Sequence, residues 1–194
     1  MIVIATNNGI EFLPDLIESL KGLDYLVVDT GSTDQKSLDY VETLNHTHRK
    51  GGYTLGALEH AYKHFPDEWY FIMHDSMIVK NKNFIEKFKS KGDVVAWLRF
   101  PMFFDDANQE AFVRATNRSM ADYGIFGPIM YITRDKLKEI ELVIPENVEQ
   151  SRANERGIAC ALKDAQIGWK YIDDLYPIRW DEHEDFTKKF KHRI

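Results

Sequence analysis

The sequence predicts a single α/β domain with a mostly parallel central sheet and helices on both faces. Three observations carry that prediction. Apolar, β-branched runs of strand length alternate with amphipathic stretches of helical spacing along the chain. The early strand runs, Ile2-Val3-Ile4-Ala5, Tyr25-Leu26-Val27-Val28 and Trp69-Tyr70-Phe71-Ile72-Met73, are apolar almost throughout, as strands buried on both faces require. Each of these runs then breaks into polar residues: Thr6-Asn7-Asn8, Asp29-Thr30-Gly31 and His74-Asp75-Ser76. The length of 194 residues suits one compact unit.

In order, strands are expected at 2–5 and 25–28, and a short one at 46–49. The first helix, 13–20, places Leu13, Leu16, Ile17 and Leu20 on one side. A second, 36–44, carries Leu38, Val41 and Leu44, and a third, 54–65, carries Leu55, Leu58, Ala61, Tyr62 and Phe65. A strand at 69–73 and a short helix at 84–88 follow. The run 94–104 reads as a long strand, and 105–123 as a loop or irregular helix. Strand 129–132, helix 136–140, helix 149–165 and strand 169–172 complete the pattern. The tail from Asp181 is highly charged and reads as a surface helix or a disordered segment. The chain divides into a first half, 1–100, a more variable second half, 101–180, and the tail, 181–194, with no repeat or linker between them.

Composition narrows the function. The 25 basic and 31 acidic residues give a net charge of -6 with no basic stripe, which argues against nucleic acid as a partner. A small anionic ligand is compatible, because a few local donors and a metal can hold it. The single cysteine, Cys160, excludes an internal disulfide and a multi-Cys zinc site, and its apolar run makes it a buried structural thiol. No run approaches the ~18–20 apolar residues of a membrane span. The N-terminal residues read as a strand rather than a signal peptide, so a reduced, cytoplasmic setting is expected.

In an open parallel sheet, ligands bind in the crevice beyond the carboxyl ends of the strands. Asp29, at such an end, can accept hydrogen bonds from a nucleobase or ribose, or it can cap its own turn. Asp34, after Gly31-Ser32-Thr33, is placed to cap the next helix. Asp75 ends a second strand at the same edge, where its carboxylate can hold Mg²⁺ or Mn²⁺ against a diphosphate, or cap the turn. Gly51-Gly52-Tyr53 opens a helix whose N-terminal N–H groups suit an anion, with Tyr53 able to stack on a base or sugar, or it is a plain glycine turn and N-cap. Arg49 and Lys50 either reach phosphates or face solvent. Trp97, Phe100, Phe103, Phe104, Tyr123 and Phe126 are expected mostly in the core, with one or two lining an acceptor cleft.

The run Val27-Val28-Asp29-Thr30-Gly31-Ser32-Thr33-Asp34 resembles the "VVDDGSTD" segment of GT-A glycosyltransferases, particularly inverting family 2. His74-Asp75-Ser76 stands where that family carries its Asp-x-Asp metal motif, without the outer carboxylates. Asn154-Glu155-Arg156 and Gly168-Trp169-Lys170-Tyr171-Ile172 resemble later segments, with Glu-Arg in place of Glu-Asp. A small glycosyltransferase domain of large DNA viruses of algae is similar in size and in its "VDTGSTD" and "HDS" segments. The likeness covers about 1–175, with 105–150 unmatched, and implies a Rossmann-like GT-A domain. It further implies a nucleotide-diphosphate-sugar donor, with UDP as its nucleotide, and a glycan or glycoprotein acceptor. The transfer would be that of a hexosyl- or deoxyhexosyltransferase, assisted by Mn²⁺ or Mg²⁺. Carried over by residue, Asp29 binds base or ribose, with Thr6, Asn8, Gly31, Tyr53 and His74 around the donor. Asp75 coordinates the metal or contacts the ribose, and His183 either completes the metal site or stands exposed in the charged tail. Glu155 is the base, with Glu149 or Glu146 as substitutes.

Two other classes remain open at this level. A Rossmann-type methyltransferase shares the Asp-x-Gly turn, although Ser32-Thr33 supplies no further glycine. A catalytically degenerate GT-A-like domain would bind a sugar nucleotide without turning it over.

Overall fold

The structure, a computed structural model, describes residues 1–103, 107–116, 118–174 and 184–188. The elements run β1 (Ile2–Thr6), α1 (Leu13–Ser19), β2 (Tyr25–Asp29), α2 (Gln35–Val41), β3 (His46–His48), α3 (Tyr53–His64), β4 (Trp69–His74) and β5 (Met77–Val79). They continue with α4 (Phe84–Lys91), β6 (Val94–Pro101), α5 (Ala107–Ala115), β7 (Tyr123–Ile125), β8 (Met130–Thr133), α6 (Arg134–Lys138), α7 (Val148–Asp164), β9 (Lys170–Asp174) and β10 (Phe186–Lys188).

Eight strands form the main sheet in the order β3-β2-β1-β4-β8-β6-β7, with β9 also paired to β6. The strands β3, β2, β1 and β4 are parallel neighbours, as predicted. Beyond them β8 runs antiparallel to both β4 and β6, while β9 returns parallel to β6. Alternate residues of β1 feed two cores. Ile2 and Ile4 pack with Leu13 and Leu16 of α1 and Phe84 and Phe88 of α4. Val3 and Ala5 face the other way, toward Leu55 and Leu58 of α3 and Ile158 and Leu162 of α7. That double burial is why β1 reads as an unbroken apolar run. Cys160 is buried beside Val113 and Ala153, and burial raises its thiol pKa, as suits a structural residue.

Three local expectations change. Helix α2 stops at Val41, short of Leu44, which packs from the loop. The ambiguous stretch after 105 contains a regular helix, α5, and ends in strand β7. The charged tail is the largest change, because β10 pairs antiparallel with β5, joining Phe186 to Val79. Phe186 is fully buried, with ring centroids 4.9 Å from Phe84 and 5.3 Å from Trp97. Of the six aromatics expected mostly in the core, Trp97 and Phe100 are buried, Phe103 and Tyr123 are exposed, Phe126 is half-buried, and Phe104 lies outside the described residues.

The neighbouring Asp185 is buried as a charge. Its carboxylate accepts from Lys87 Nζ at 2.7 Å and from Asn81 Nδ2 at 3.1 Å, and its carbonyl accepts from Lys80 N at 2.8 Å. Burial acts to lower the Lys87 pKa, but the Asp185 and Glu184 carboxylates outweigh it and raise the value. Lys87→Met should cost about 2–3 kcal/mol in urea unfolding, because it strips an ammonium from a dehydrated carboxylate while keeping the packed stem. A change within about 0.5 kcal/mol would mean that solvent already screens the pair.

Candidate functional site

Because β2, β1 and β4 lie side by side and parallel, their carboxyl ends open along one edge. The register sets Thr6 opposite Asp29 and Ala5 opposite His74, so Asp29, Thr6 and Asp75 stand in a row across three strands. Thr6 Oγ1 donates to Asp75 Oδ2 at 2.7 Å. The Thr6 carbonyl accepts from both the amide and the hydroxyl of Thr30, each at 2.9 Å. Asp75 N reaches the Ala5 carbonyl at 3.2 Å.

Gly9 makes this approach possible. A Cβ on it would lie 2.2 Å from Asp75 Oδ2 and 2.3 Å from Thr6 Oγ1. Its carbonyl also starts the first helix by accepting from Phe12 N and Leu13 N. Gly9→Ala should therefore force the Asp75 carboxylate off Thr6 and cost about 1–3 kcal/mol, the usual cost of overpacking. Urea unfolding reads this out, and an unchanged midpoint would mean that Asp75 swings away freely.

Asp29 is 2% exposed. Its Oδ1 accepts from Ser32 N at 3.1 Å and Ser32 Oγ at 2.6 Å, and its Oδ2 meets His48 Nδ1 at 3.1 Å. The capping half of the two readings of Asp29 is thus realised. Asp34 caps α2 through Ser37 N at 2.9 Å, and Ser37's hydroxyl and amide hold the Asp34 pKa below its usual value. His48 also meets Glu42 at 2.9 Å, and its hydrogen bonds to the accepting carboxylates of Glu42 first and Asp29 second raise its pKa.

Asn8 takes a positive φ of 53° and locks two loops together. Its Oδ1 accepts from Thr33 N at 2.8 Å and Asp34 N at 2.9 Å, and its own N donates to Ser32 Oγ at 2.7 Å. Gly31, at φ 113°, occupies a backbone region that side chains rarely tolerate. The Gly51 amide donates to the Thr30 carbonyl at 2.9 Å, which brings the start of α3 against the Asp29 turn. Tyr53, the first residue of α3, has φ 47°, a strained value for a non-glycine residue. Arg49 is neither a free phosphate ligand nor a solvated surface group: it clips Gly51 O at 2.7 Å to Glu59 at 2.9 Å.

His74 turns away from this row. Its Nε2 meets the Gly127 carbonyl at 2.5 Å and Thr54 Oγ1 at 3.3 Å, tying β4 to the β7–β8 turn and to α3. Glu155 lies on α7, half-buried, with Arg156 Nη1 3.9 Å away. Among the described residues, no hydrogen bond or ion pair joins it to Thr6, Asp29 or Asp75. Glu149 is exposed and 3.2 Å from Arg152, while Glu146 lies exposed in the loop before the α7 cap. His183, expected as a metal ligand, lies outside the described residues.

The structure thus gathers Thr6, Asn8, Asp29, Gly31 and Asp75 along one edge, with Tyr53 at the start of the adjoining helix. It also adds Gly9, Ser32 and His48, which the sequence reading did not single out. Gly9 directly after two asparagines, and the alternation His46-Thr47-His48, were the available signals. The donor set around Asp75, a carboxylate beside a hydroxyl over a bare glycine, fits a hard divalent cation that keeps most of its ligands as water and phosphate. A separate cavity of about 360 Å³ is lined by Arg99, Tyr123, Lys163, Trp169 and Tyr171 at the β6–β9 side. It holds none of the strand-edge residues.

A parallel β3-β2-β1-β4 half, acids at its carboxyl edge and a mixed second half give the α/β architecture of GT-A glycosyltransferase structures. Comparison with solved structures bears this out. Residues 1–349 of S. aureus TarS in complex with UDP-GlcNAc superpose with a TM-score of 0.58 at 16% identity, over 97% of this chain and 58% of that one. Glucosyl-3-phosphoglycerate synthase from M. tuberculosis gives 0.54 at 13% identity, over 100% and 72%. The same synthase from Mycobacterium tuberculosis in complex with Mn²⁺, UDP-glucose and phosphoglyceric acid gives 0.52 at 12% identity, over 89% and 69%. The chain thus spans less than two thirds of the TarS fragment's length. No family model and no curated protein sequence matches it.

Proposed function

We propose that the protein is a glycosyltransferase that moves a hexose or deoxyhexose from a UDP-sugar to a hydroxyl of a glycan or glycoprotein acceptor, with inversion and with a divalent metal assisting. The observation that carries the proposal is the row Asp29–Thr6–Asp75 at the carboxyl ends of three adjacent parallel strands, closed by the Thr6–Asp75 hydrogen bond of 2.7 Å. Likeness to structures holding UDP-GlcNAc, or Mn²⁺ with UDP-glucose, supports it at the level of the fold.

In this reading Asp29 accepts from the base or ribose with the lone pairs that Ser32 and His48 leave open. Thr6 and Gly31 form the floor of that pocket, and Asn8 holds its wall rather than touching the base. Tyr53 stacks on the donor, its strained backbone fixing the ring direction. His74 orients the start of α3 through Thr54. Asp75 would hold Mn²⁺ or Mg²⁺, which when bound would stabilise the leaving diphosphate. Glu155 takes the proton from the acceptor hydroxyl as its oxygen attacks the anomeric carbon and the bond to the diphosphate breaks. Among the described residues no helix is long and apolar enough to cross a membrane. With one buried cysteine, this supports a cytoplasmic enzyme acting on sugars rather than on nucleic acid.

A thermal-shift series with UDP-, GDP- and dTDP-sugars, with and without Mn²⁺, tests the proposal on wild type, Asp29→Ala and Asp75→Ala. A ligand at ~100 times its dissociation constant should stabilise the fold by about 2.7 kcal/mol. Stabilisation by the UDP-sugars that needs Mn²⁺ and disappears in both variants is the expected result. A shift with S-adenosylmethionine and none with any nucleotide sugar would overturn the proposal in favour of a methyltransferase. Binding without turnover would mark the domain as a degenerate relative of the fold.

A further inference from the structure

At the outer edge of the sheet, two histidines and a glutamate meet in a way that calls for a cation between them. His46 and His48 are two apart on β3, so their side chains lie on one face of the strand, ring centroids 5.1 Å apart. Glu42, at the end of α2, sits between the rings: Oε2 is 3.3 Å from His46 Nε2 and Oε1 is 2.9 Å from His48 Nε2.

The other ring nitrogens settle which atoms carry lone pairs. His46 Nδ1 lies 2.9 Å from the Leu44 carbonyl, and His48 Nδ1 lies 3.1 Å from Asp29 Oδ2. A carbonyl and a carboxylate only accept, so both Nδ1 atoms carry the hydrogen and donate. In the neutral rings both Nε2 lone pairs then point at carboxylate oxygens, an arrangement that repels unless a proton or a metal ion lies between.

We propose that Glu42, His46 and His48 form a site for a borderline divalent ion of the Zn²⁺, Co²⁺ or Ni²⁺ class. The ligand atoms all lie within 4.8 Å of one another. The two contacts to Glu42, 3.3 and 2.9 Å, run to different oxygens, so one oxygen must turn between the rings to share a tetrahedral ion, whose ligands lie about 3.3 Å apart at bonds of ~2.0–2.1 Å. Two imidazoles and a carboxylate suit this class of ion rather than Mg²⁺ or Ca²⁺. The outer contacts are those that metal-bound histidines use: a backbone carbonyl behind His46 and a buried carboxylate behind His48. The exposed side of the cluster leaves the fourth position to water. The ion clips the end of α2 to the edge strand and fixes the His48–Asp29 hydrogen bond. It is distinct in place and chemistry from the hard-cation position at Asp75, and it holds whether or not the protein transfers sugars.

The test is metal binding by chelator-stripped protein. Zn²⁺ is titrated against a chromophoric indicator, and Co²⁺ is followed by its visible absorption. One equivalent is expected, weakened at least about tenfold in His46→Ala and in the isosteric Glu42→Gln, with circular dichroism unchanged. Asp29→Asn, which meets the cluster through His48, should weaken it about 10–100-fold. The His60–His64 pair on α3, with ring centroids 4.6 Å apart, is the competing site, so His64→Ala must leave binding intact. Absence of binding, binding unchanged in both His46→Ala and Glu42→Gln, or binding lost in His64→Ala overturns the proposal and leaves the cluster held by protons.

Discussion

Phe186→Ala is expected to destabilise the protein by about 3–5 kcal/mol, although Phe186 follows a run that reads as a charged tail. The ring is fully buried and completes a cluster with Phe71, Phe84, Phe88 and Trp97, at centroid distances from 4.9 to 6.3 Å. Removing it leaves a cavity bounded by rings on several elements, which cannot all move inward at once. Phe186→Leu should recover most of the loss, since it refills much of the volume. Urea unfolding of the three proteins gives the ranking. Equal midpoints for wild type and Phe186→Ala would show that β10 is detached in solution.

With Glu155 as the proposed base, Glu155→Gln is expected to lower kcat by about 10²–10⁴-fold while leaving donor affinity and unfolding midpoint nearly unchanged. The turn of helix around Glu155 is held by its neighbours. Its neighbour Asn154 donates to the Val143 carbonyl at 3.0 Å, and Arg156, itself buried, donates from Nε to the Phe103 carbonyl at 2.8 Å. The turn of α7 that carries Glu155 is therefore anchored on both sides. Gln keeps shape and hydrogen-bonding reach but cannot take the acceptor proton, so the loss should fall on kcat rather than on donor KM. Turnover within about threefold of wild type would remove Glu155 from the role. The same assay on Glu149→Gln would then decide whether the base lies at the start of α7.

The parallel half of the fold was legible because strands covered on both faces leave an unmistakable mark. Val27 and Val28, or Phe71 and Ile72, are buried on opposite sides, so no polar residue interrupts them. Of the antiparallel strands, β8 was legible at 129–132, but three others were not. Met77–Val79, Tyr123–Ile125 and Phe186–Lys188 span three residues each, too few for periodicity, and none sits in the alternation of strand and helix that marks the equally short β3. Charged neighbours hid Phe186, since Asp185 looks like surface until Lys87, distant in sequence, is seen beside it.

The edge residues divide in the same way. Asp29 and Asp75 announce themselves as acids ending apolar strands. Gly9 acquires meaning only when Thr6 and Asp75 are known to touch, and His48 only when β3 is known to pair with β2. Asn8 was legible as a member of the edge but not as the residue that ties the Asp34 cap to the β1 loop, because both contacts cross more than twenty positions of chain.

Phe186 also sets a timetable during synthesis. A ribosome adding ~5–20 residues per second makes Phe71, Phe84 and Phe88 several seconds before the ring that covers them. Through that interval a nascent chain with its parallel strands already assembled would present an open aromatic face. Exposed apolar surface of that kind is what makes incompletely folded chains prone to aggregate.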